Sequence, residues 1–190
     1  MTNNEDMVTA IRHLQDREAI RDVLVRYCRA VDRLDRELLL TCYHPDATDD
    51  HGIFLGGPEA FADWALPLHR EHQTATHHVI TNHSCEIDGD SAHTETYYMF
   101  AGMNRHGNPL TVCGGRYIDR FERRNGKWAI VDRMSILEWQ GVPGEIFVVR
   151  EKVDPDDHSH EASRDRSDPS YRRPLKIESK QAAYRIVSRQ

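Results

Sequence analysis

Apolar and polar residues alternate with the period of an α-helix in the first part of the chain, from about residue 8 to residue 32. The apolar members of this pattern, three or four positions apart, are Ile20, Val23, Leu24, Tyr27, Cys28 and Val31. Polar residues such as Arg26 and Arg29 occupy the other face, so the pattern predicts an amphipathic helix. At roughly 100° per residue, Asp32 falls within the apolar arc, and we expect its carboxylate to point toward the core.

Two shorter helices are expected next. Asp35 suits the N-cap of a helix in "RELLLTCY", which should end before Pro45 because a residue that precedes proline disfavours the helical region. A third helix, "GGPEAFADWALPLHREH", has Pro58 in its first turn, where proline is favoured, and Pro67 is expected to kink it. Its predicted buried stripe consists of Phe61, Trp64, Ala65 and Leu68.

The period then changes from that of a helix to that of strands. Four stretches are rich in Val, Ile, Thr, Tyr and Phe: "ATHHVITNHSCEIDG", "SAHTETYYMFAGMN", "PLTVCGGRYIDRFERR" and "KWAIVDRMSILEW". Turn sequences such as Asn125-Gly126 separate them, which predicts an antiparallel meander. Helices followed by consecutive hairpins indicate an α+β fold, with a curved sheet wrapped around the helices.

The end of the chain has a different composition. Residues 154–174, "DPDDHSHEASRDRSDPSYRRP", are charged, contain several prolines and have almost no aliphatic residues. We therefore divide the chain into an α+β domain over residues 1–145 and a polar C-terminal extension over residues 146–190. The extension is expected to be partly irregular or to pack on the domain or on a neighbouring subunit.

Composition and charge exclude several classes of function. The formal charge is −6 and no dense Lys/Arg block is present, so nucleic acid is not an expected partner. No apolar run approaches the roughly 20 residues of a membrane span, and the N-terminus lacks the pattern of a secretory signal. We therefore expect a cytoplasmic protein without membrane contact. The four cysteines form no Cys-x-x-Cys pair and are expected to be reduced thiols.

Twelve histidines make a metal site worth weighing. His77 and His78 are adjacent on a predicted strand and therefore point to opposite faces, and His83 differs from His78 in parity. These three side chains cannot meet at one ion without a bulge, so we predict no metal site.

One core-facing acid and one strand histidine form a better candidate. A carboxylate that accepts a hydrogen bond from an imidazole fixes its tautomer and stabilises the imidazolium, which makes the ring a competent proton acceptor. Asp32 and His78 could form such a pair. The alternative is that Asp32 only ends a helix and that His78 is a wall residue.

Three stretches carry a resemblance to a known family. "REAIRDVLVRYCRAVDRLD", "THHVITN" and "GGRYIDRFERRNGKWAIVDR" resemble the SnoaL-like branch of the nuclear transport factor 2-like superfamily, with hexachlorocyclohexane dehydrochlorinase, scytalone dehydratase and bile acid 7α-dehydratase among its members. The resemblance covers roughly residues 8–140. It implies a cone in which three helices close a strongly curved mixed sheet around a deep apolar pocket, with chemistry that needs no metal or organic cofactor.

The resemblance also implies site residues. The acid of the family's catalytic pair falls on Asp32, its histidine on His78, and further polar groups on Tyr27 and Arg133. Tyr27 and Arg133 would neutralise charge on an enolate, hydroxide or halide. Arg133 could instead form a surface salt bridge with Asp132 or Glu122, and Tyr27 could be a core residue. The scytalone dehydratase pattern includes a second pocket histidine, which the resemblance assigns to no residue of this sequence.

Strand parity gives the expected lining of the pocket. With His78 facing inward, we predict a lining of Tyr97, Met99, Cys113 and Tyr117, with Phe54 and Trp64 as an aromatic wall. Trp64 could equally be ordinary helix packing. Tyr98 and Phe100 would then lie on the opposite sheet face, a candidate surface for a homo-oligomer, either a dimer or a trimer.

Two functional classes follow. The first is a cofactor-independent lyase, a dehydratase or another β-eliminating enzyme, or an isomerase, acting on a small hydrophobic cyclic substrate by His/Asp general acid–base catalysis. The second is a non-catalytic binding protein for a hydrophobic ligand, or the accessory small subunit of a ring-hydroxylating oxygenase.

Overall fold

The computed structural model describes residues 4–143, 164–167 and 171. Within these residues the chain forms three helices and six strands. The helices are α1 (Asn4–Asp32), α2 (Arg36–Leu40) and α3 (Pro58–His72). The strands are β1 (Tyr43–Asp50), β2 (Leu55–Gly56), β3 (Gln73–Asp88), β4 (Ser91–Asn104), β5 (Leu110–Arg124) and β6 (Lys127–Gly141). The predicted domain boundary at residue 145 lies outside the described residues.

The strands form one curved, open, mixed sheet in the order β2-β1-β6-β5-β4-β3. β1 is parallel to β6, and the other neighbours are antiparallel. The α+β class, the three helices and the four-strand meander are confirmed. The residue pattern did not predict β1 or β2, because β1, "YHPDATDD", is polar, contains a proline and buries Asp49 in place of an aliphatic residue.

The corner between α1 and α2 explains why the chain has two acids close together. The N–H of Asp35 donates to Ala30 O and the N–H of Leu34 donates to Val31 O, the two hydrogen bonds of a Schellman ending. Leu34 adopts a positive φ of 55°, a conformation that usually favours glycine. Asp32 is the last residue of α1, and Asp35 caps α2 by accepting a hydrogen bond from Leu38 N–H at 3.1 Å. The two acids therefore serve different elements.

Two register shifts shape the meander. Between Ile80 and His83 the β3–β4 ladder slips by one residue, and both Thr81 and Asn82 are exposed there. His83 consequently lies on the same face as His78, which corrects the parity expected from sequence. The Asn125-Gly126 turn between β5 and β6 has positive φ at both residues, as a two-residue hairpin turn of type I′ requires.

The core lies between the helices and the concave face of the sheet. Helix α1 buries the predicted apolar face against β3 and β6, and α3 closes the other side with Phe61, Ala62 and Leu66. All four cysteines are free. None of the described helices has the length and apolar character needed to cross a membrane.

The capping role of Asp35 gives a test of the corner. We expect Asp35→Ala to lower the free energy of unfolding by about 1 kcal/mol, because the first turn of α2 loses its side-chain acceptor. Urea denaturation measures the change. Asp35→Ser keeps a capping oxygen and should retain most of the stability, and equal stability of Asp35→Ala and the unchanged protein would contradict the capping role.

Candidate active site

The structure brings Asp32 and His78 into direct contact. His78 Nδ1–H donates to Asp32 Oδ1 at 2.7 Å, and the backbone N–H of His78 donates to Asp32 Oδ2 at 3.0 Å. Both carboxylate oxygens are therefore used by one strand residue. Burial opposes the charge of Asp32, but the hydrogen bonds and charge of His78, with a hydrogen bond from Thr76, outweigh burial and lower the pKa of Asp32.

The position of Asp32 at the end of α1 also disfavours its negative charge. A carboxylate in the last turn of a helix lies near the negative end of the helix dipole, where an anion is unfavourable. Arg164, from the C-terminal part of the chain, places its guanidinium at this point. Its Nε donates to Asp32 O at 3.4 Å, and its Nη1 donates to His69 O and Gln73 O, both at 2.8 Å. One cation thus covers the carboxyl ends of α1 and α3.

Two more residues of the C-terminal part hold the same corner. Tyr171 donates its hydroxyl to Asp35 Oδ2 at 3.0 Å, and Arg29 lies over the Tyr171 ring at 4.6 Å from its centre. Arg166 pairs with Glu37 at 2.8 Å. These contacts attach residues 164–167 and 171 to the α1–α2 corner, next to the carboxylate of Asp32.

A cavity of about 330 Å³ opens beside the Asp32–His78 pair. Its walls are mainly aromatic and aliphatic, with side chains from α1, α3 and the concave face of the sheet. The lining includes Tyr27, Val31, His51, Ile53, Phe61, Trp64, Ala65, Leu68, His69, His78, Tyr98, Phe100, Thr111, Cys113, Tyr117, Ser135, Leu137 and Gln140. An apolar pocket with a few polar groups is the usual form of a small-molecule site.

A second carboxylate–imidazole pair places its imidazole, that of His51, in the wall of the same cavity. His51 Nδ1–H donates to Asp49, whose side chain is fully buried, and Asp49 Oδ2 also accepts the Tyr43 hydroxyl at 2.5 Å. His51 stacks on Phe61 with ring centres 4.8 Å apart, and its Nε2 lies 3.5 Å from the Tyr27 hydroxyl. Burial and the charge of Asp49 raise the pKa of Tyr43 well above its usual value, so the phenol keeps its proton and donates a hydrogen bond to Asp49.

His69 is the third histidine of the cavity and differs from the other two. Its ring packs edge-on against His78 with centres 5.5 Å apart, and Nδ1 contacts Gln73 Oε1 at 3.1 Å. Burial, and then the charge of His78, lower the pKa of His69 to about 4. His69 is therefore neutral near pH 7. Among the described residues, no group of three or more His, Cys, Asp and Glu side chains is arranged to hold a metal ion.

Arg133 lies beneath the cavity and not in its wall. Its fully buried guanidinium donates to both oxygens of Asp119 at 2.7 and 2.8 Å, and it stacks between the rings of Tyr27 and Tyr117. Burial, the largest influence, works against its charge, but the charge and hydrogen bond of Asp119 together with Tyr43 and Tyr27 outweigh burial and raise the pKa of Arg133. The predicted contact of Arg133 with a ligand is therefore not what the structure shows. The surface alternative is wrong as well, since Arg120 pairs with Asp132 and Glu122.

The predicted lining is correct on one strand and wrong on the next. Trp64, Cys113 and Tyr117 line the cavity, but Tyr97 and Met99 are 41% and 49% exposed on the outer face. Tyr98 and Phe100, which we expected outside, line the cavity in their place. The register shift after Ile80 is the cause.

The register numbers show how this inversion arises. At the turn between β3 and β4, Asp88 pairs with Ser91. If this register continued without a shift, His78 would lie opposite Ala101. The one-residue shift after Ile80 places His78 opposite Phe100. Phe54 also lies outside the lining: its ring stacks on Trp64, with centres 5.0 Å apart, and supports that wall from behind.

Sequence reasoning missed Asp49, His51 and His69. Asp49 and His51 lie at the end of a polar strand that no alternation marks, and His69 lies in the last turn of α3, where a histidine suits the helix dipole without further explanation. The only available signal was "DDH", two acids directly before a histidine, next to the glycine of a turn.

The buried pair of Arg133 and Asp119 predicts a large effect on stability. We expect Arg133→Met to lower the free energy of unfolding by about 3–5 kcal/mol, because Asp119 is left as a buried charge without its partner. Arg133→Met with Asp119→Leu should recover much of this loss in urea denaturation. Arg120→Met, at an exposed ion pair, is the matched control and should cost less than about 1 kcal/mol. Equal losses at both arginines would contradict the assignment.

The pKa of His69 predicts how stability depends on pH. At pH values between about 4, the pKa of His69 in the folded protein, and its ordinary pKa of 6.5, His69 binds a proton in the unfolded chain but not in the native protein. The free energy of unfolding should therefore fall as the pH decreases from about 6.5 to 4, by at most about 3 kcal/mol from this residue. His69→Gln should remove this part of the decrease in urea denaturation measured at several pH values. Parallel curves for the two proteins would contradict it.

Comparison with known proteins identifies the family and the fold. Residues 12–134 match the SnoaL-like domain family. A search of curated protein sequences found no match. A solved structure of a hexachlorocyclohexane dehydrochlorinase, LinA type 2, is similar with a TM-score of 0.67 and 22% identity, over 76% of this chain and 99% of that chain.

Two further solved structures have the same fold. A candidate scytalone dehydratase from Novosphingobium aromaticivorans gives a TM-score of 0.64 and 16% identity, over 77% of this chain and 97% of that chain. A nuclear transport factor 2-like superfamily protein from Salmonella enterica serovar Typhimurium gives 0.58 and 16%, over 70% and 99%. At such identities the structures establish the fold alone. The protein belongs to the SnoaL-like domain family, with the fold of the nuclear transport factor 2-like superfamily.

Proposed function

We propose that the protein is a cofactor-independent lyase or isomerase that removes a proton from carbon in a small hydrophobic cyclic molecule, with β-elimination as the leading reaction. His78 is the base and Asp32 is the carboxylate that holds it. The observation that carries this proposal is the double hydrogen bond from His78 to Asp32 at the wall of the cavity. The dehydrochlorinase and the candidate dehydratase among the similar structures support the reaction class.

The geometry of the pair suits general base catalysis. With its Nδ1–H bonded to Asp32, the neutral His78 ring has its basic nitrogen at Nε2, on a ring that lines the cavity. The backbone hydrogen bond to the second carboxylate oxygen fixes the position of Asp32, so the ring cannot rotate away without breaking the contact. When His78 accepts a proton, the adjacent carboxylate balances the new charge.

The cavity provides apolar surroundings for the ligand and a hydrogen-bond donor for the developing charge. The mainly aromatic and aliphatic walls lower the local polarity, which strengthens electrostatic interactions within the site, and the cavity volume favours a ligand of one or two rings. Tyr27 lines the cavity, and burial, its largest influence, raises the pKa of its phenol. The phenol therefore keeps its proton and can donate a hydrogen bond to the oxygen of a developing enolate.

Proton exchange and elimination test the base. In D₂O the protein should accelerate deuterium exchange next to the carbonyl of cyclohexanone, the loss of water from 3-hydroxycyclohexanone, or the loss of HCl from hexachlorocyclohexane. We expect His78→Gln and Asp32→Asn to lower these rates by at least about 100-fold, since both remove the oriented base. Mass spectrometry measures exchange, and gas chromatography measures the products.

The neighbouring histidine provides the control. His77 is exposed on the other face of β3, so His77→Gln should leave every rate within about twofold. The proposal fails if His78→Gln retains the rate of the unchanged protein, or if the unchanged protein accelerates none of the three reactions.

A further inference from the structure

The mechanism proposed above leaves the Asp49–His51 pair unused. This pair has the same construction as Asp32–His78: in each, a carboxylate accepts Nδ1–H of an imidazole that lines the cavity. Asp49 is fully buried and has two donors, His51 and Tyr43, so its orientation is fixed from both sides. A buried carboxylate held this way fixes Nδ1 of His51 as the nitrogen bound to Asp49 and leaves Nε2, 3.5 Å from the Tyr27 hydroxyl, as the nitrogen that can exchange a proton with a ligand.

Loss of a hydroxyl group has a requirement that loss of a halide does not. Hydroxide is a poor leaving group and must receive a proton as the C–O bond breaks, whereas chloride departs as a stable anion. A site adapted to dehydration therefore needs a proton donor in addition to the base that takes the carbon-bound proton.

The other polar residues near His78 are poor donors for this step. His69 is neutral near pH 7, so it has no imidazolium proton to give. The phenol of Tyr27 holds its proton more tightly than an exposed tyrosine does, because it is buried. His51, with an anionic partner and its ring in the cavity wall, is the group that can carry and release a proton.

We propose that His51, held by Asp49, is the second proton-transfer residue of the cavity and protonates a departing hydroxyl group while His78 removes the proton from carbon. The inference rests on the proposed function and narrows it to the dehydration of a small hydrophobic hydroxy compound whose hydroxyl is β to an acidic C–H.

The step balances without a cofactor. His78 Nε2 takes the proton from carbon, and the electrons of that C–H bond form the C=C bond. The C–O bond breaks toward oxygen, and the oxygen takes the proton from Nε2 of the His51 imidazolium, which gives water and an alkene. His78 then holds the extra proton and His51 is neutral, so one proton returns from His78 to His51 through solvent between turnovers.

Helix α1 carries one residue in contact with each of the two imidazoles. Tyr27 contacts His51 and Asp32 contacts His78, and these two helix residues are five positions apart, which corresponds to about 7.5 Å along the axis. A hydroxy compound undergoing elimination spans two contacts of about 3 Å plus two covalent bonds, on the order of 8 Å between the two nitrogens. The two α1 residues that contact the imidazoles are thus separated along the axis by a distance of the same order as the reacting unit.

A matched pair of substrates tests the role of His51. 3-Hydroxycyclohexanone and 3-chlorocyclohexanone share the acidic C–H and give the same cyclohexenone, but only the first needs a proton for its leaving group. With uncatalysed rates subtracted, we expect His51→Gln to slow loss of water by at least about 100-fold. Loss of HCl and deuterium exchange into cyclohexanone should stay within about threefold. Asp49→Asn, at the positioning residue, should show the same selective loss.

The three reactions separate the possible failures. Retained exchange shows that a variant is folded and that its His78 base works. If His51→Gln slows loss of water and loss of HCl equally, or neither, the role of His51 is overturned and the proposed function stands. If the unchanged protein eliminates HCl but not water, the dehydration proposal is overturned. If His78→Gln retains exchange, the proposed function itself fails.

Discussion

The carboxylate of Asp32 is the constraint on which the site depends. It is an anion at the negative end of a helix dipole, close to an apolar cavity, and each of these conditions disfavours its charge. Two donors from His78 and the guanidinium of Arg164 at the adjacent helix ends compensate for it. Because one strand residue satisfies both carboxylate oxygens, the same contact that resolves the electrostatic problem also fixes α1 against β3 and sets the His78 ring in the cavity wall.

A second layer of charge lies under the aromatic floor. Arg133 and Asp119 form a buried ion pair through Nε and Nη2 of the guanidinium, which lies against the rings of Tyr27 and Tyr117, and both rings line the cavity. Tyr27 is the residue that connects the layers, since its ring covers the guanidinium and its hydroxyl approaches His51. Tyr27 is therefore a buried core residue, as one of the two sequence interpretations expected, and it also lines the cavity.

The sequence predicted those features that depend on local periodicity. Helix α1, the inward direction of Asp32, the cap at Asp35 and strands β3–β6 all follow from spacing that each segment carries by itself. The sequence-based predictions were wrong where contacts between residues far apart in the sequence determine the structure. The register shift after Ile80 inverted the face of β4, so Tyr98 and Phe100 line the cavity in place of Tyr97 and Met99. No local pattern marks this shift. The chemistry of a core-facing acid and a strand histidine made Asp32 and His78 a candidate pair, and the family resemblance strengthened it, because spacing alone cannot specify a contact between residues 46 positions apart.

The parallel pairing of β1 with β6 has a consequence for chemistry. Asp49 pairs with Arg133 and Asp50 with Met134, so the carboxyl end of β1 lies beside the part of β6 that continues to the cavity residues Ser135 and Leu137. An antiparallel β1 would direct that end of the strand away from the cavity. The same chain direction that makes the sheet mixed therefore delivers Asp49 and His51 to the cavity from one side, while β3 delivers His78 from the far edge of the sheet. The imidazoles of His51 and His78 line one cavity because the curved sheet brings distant strands to the same place.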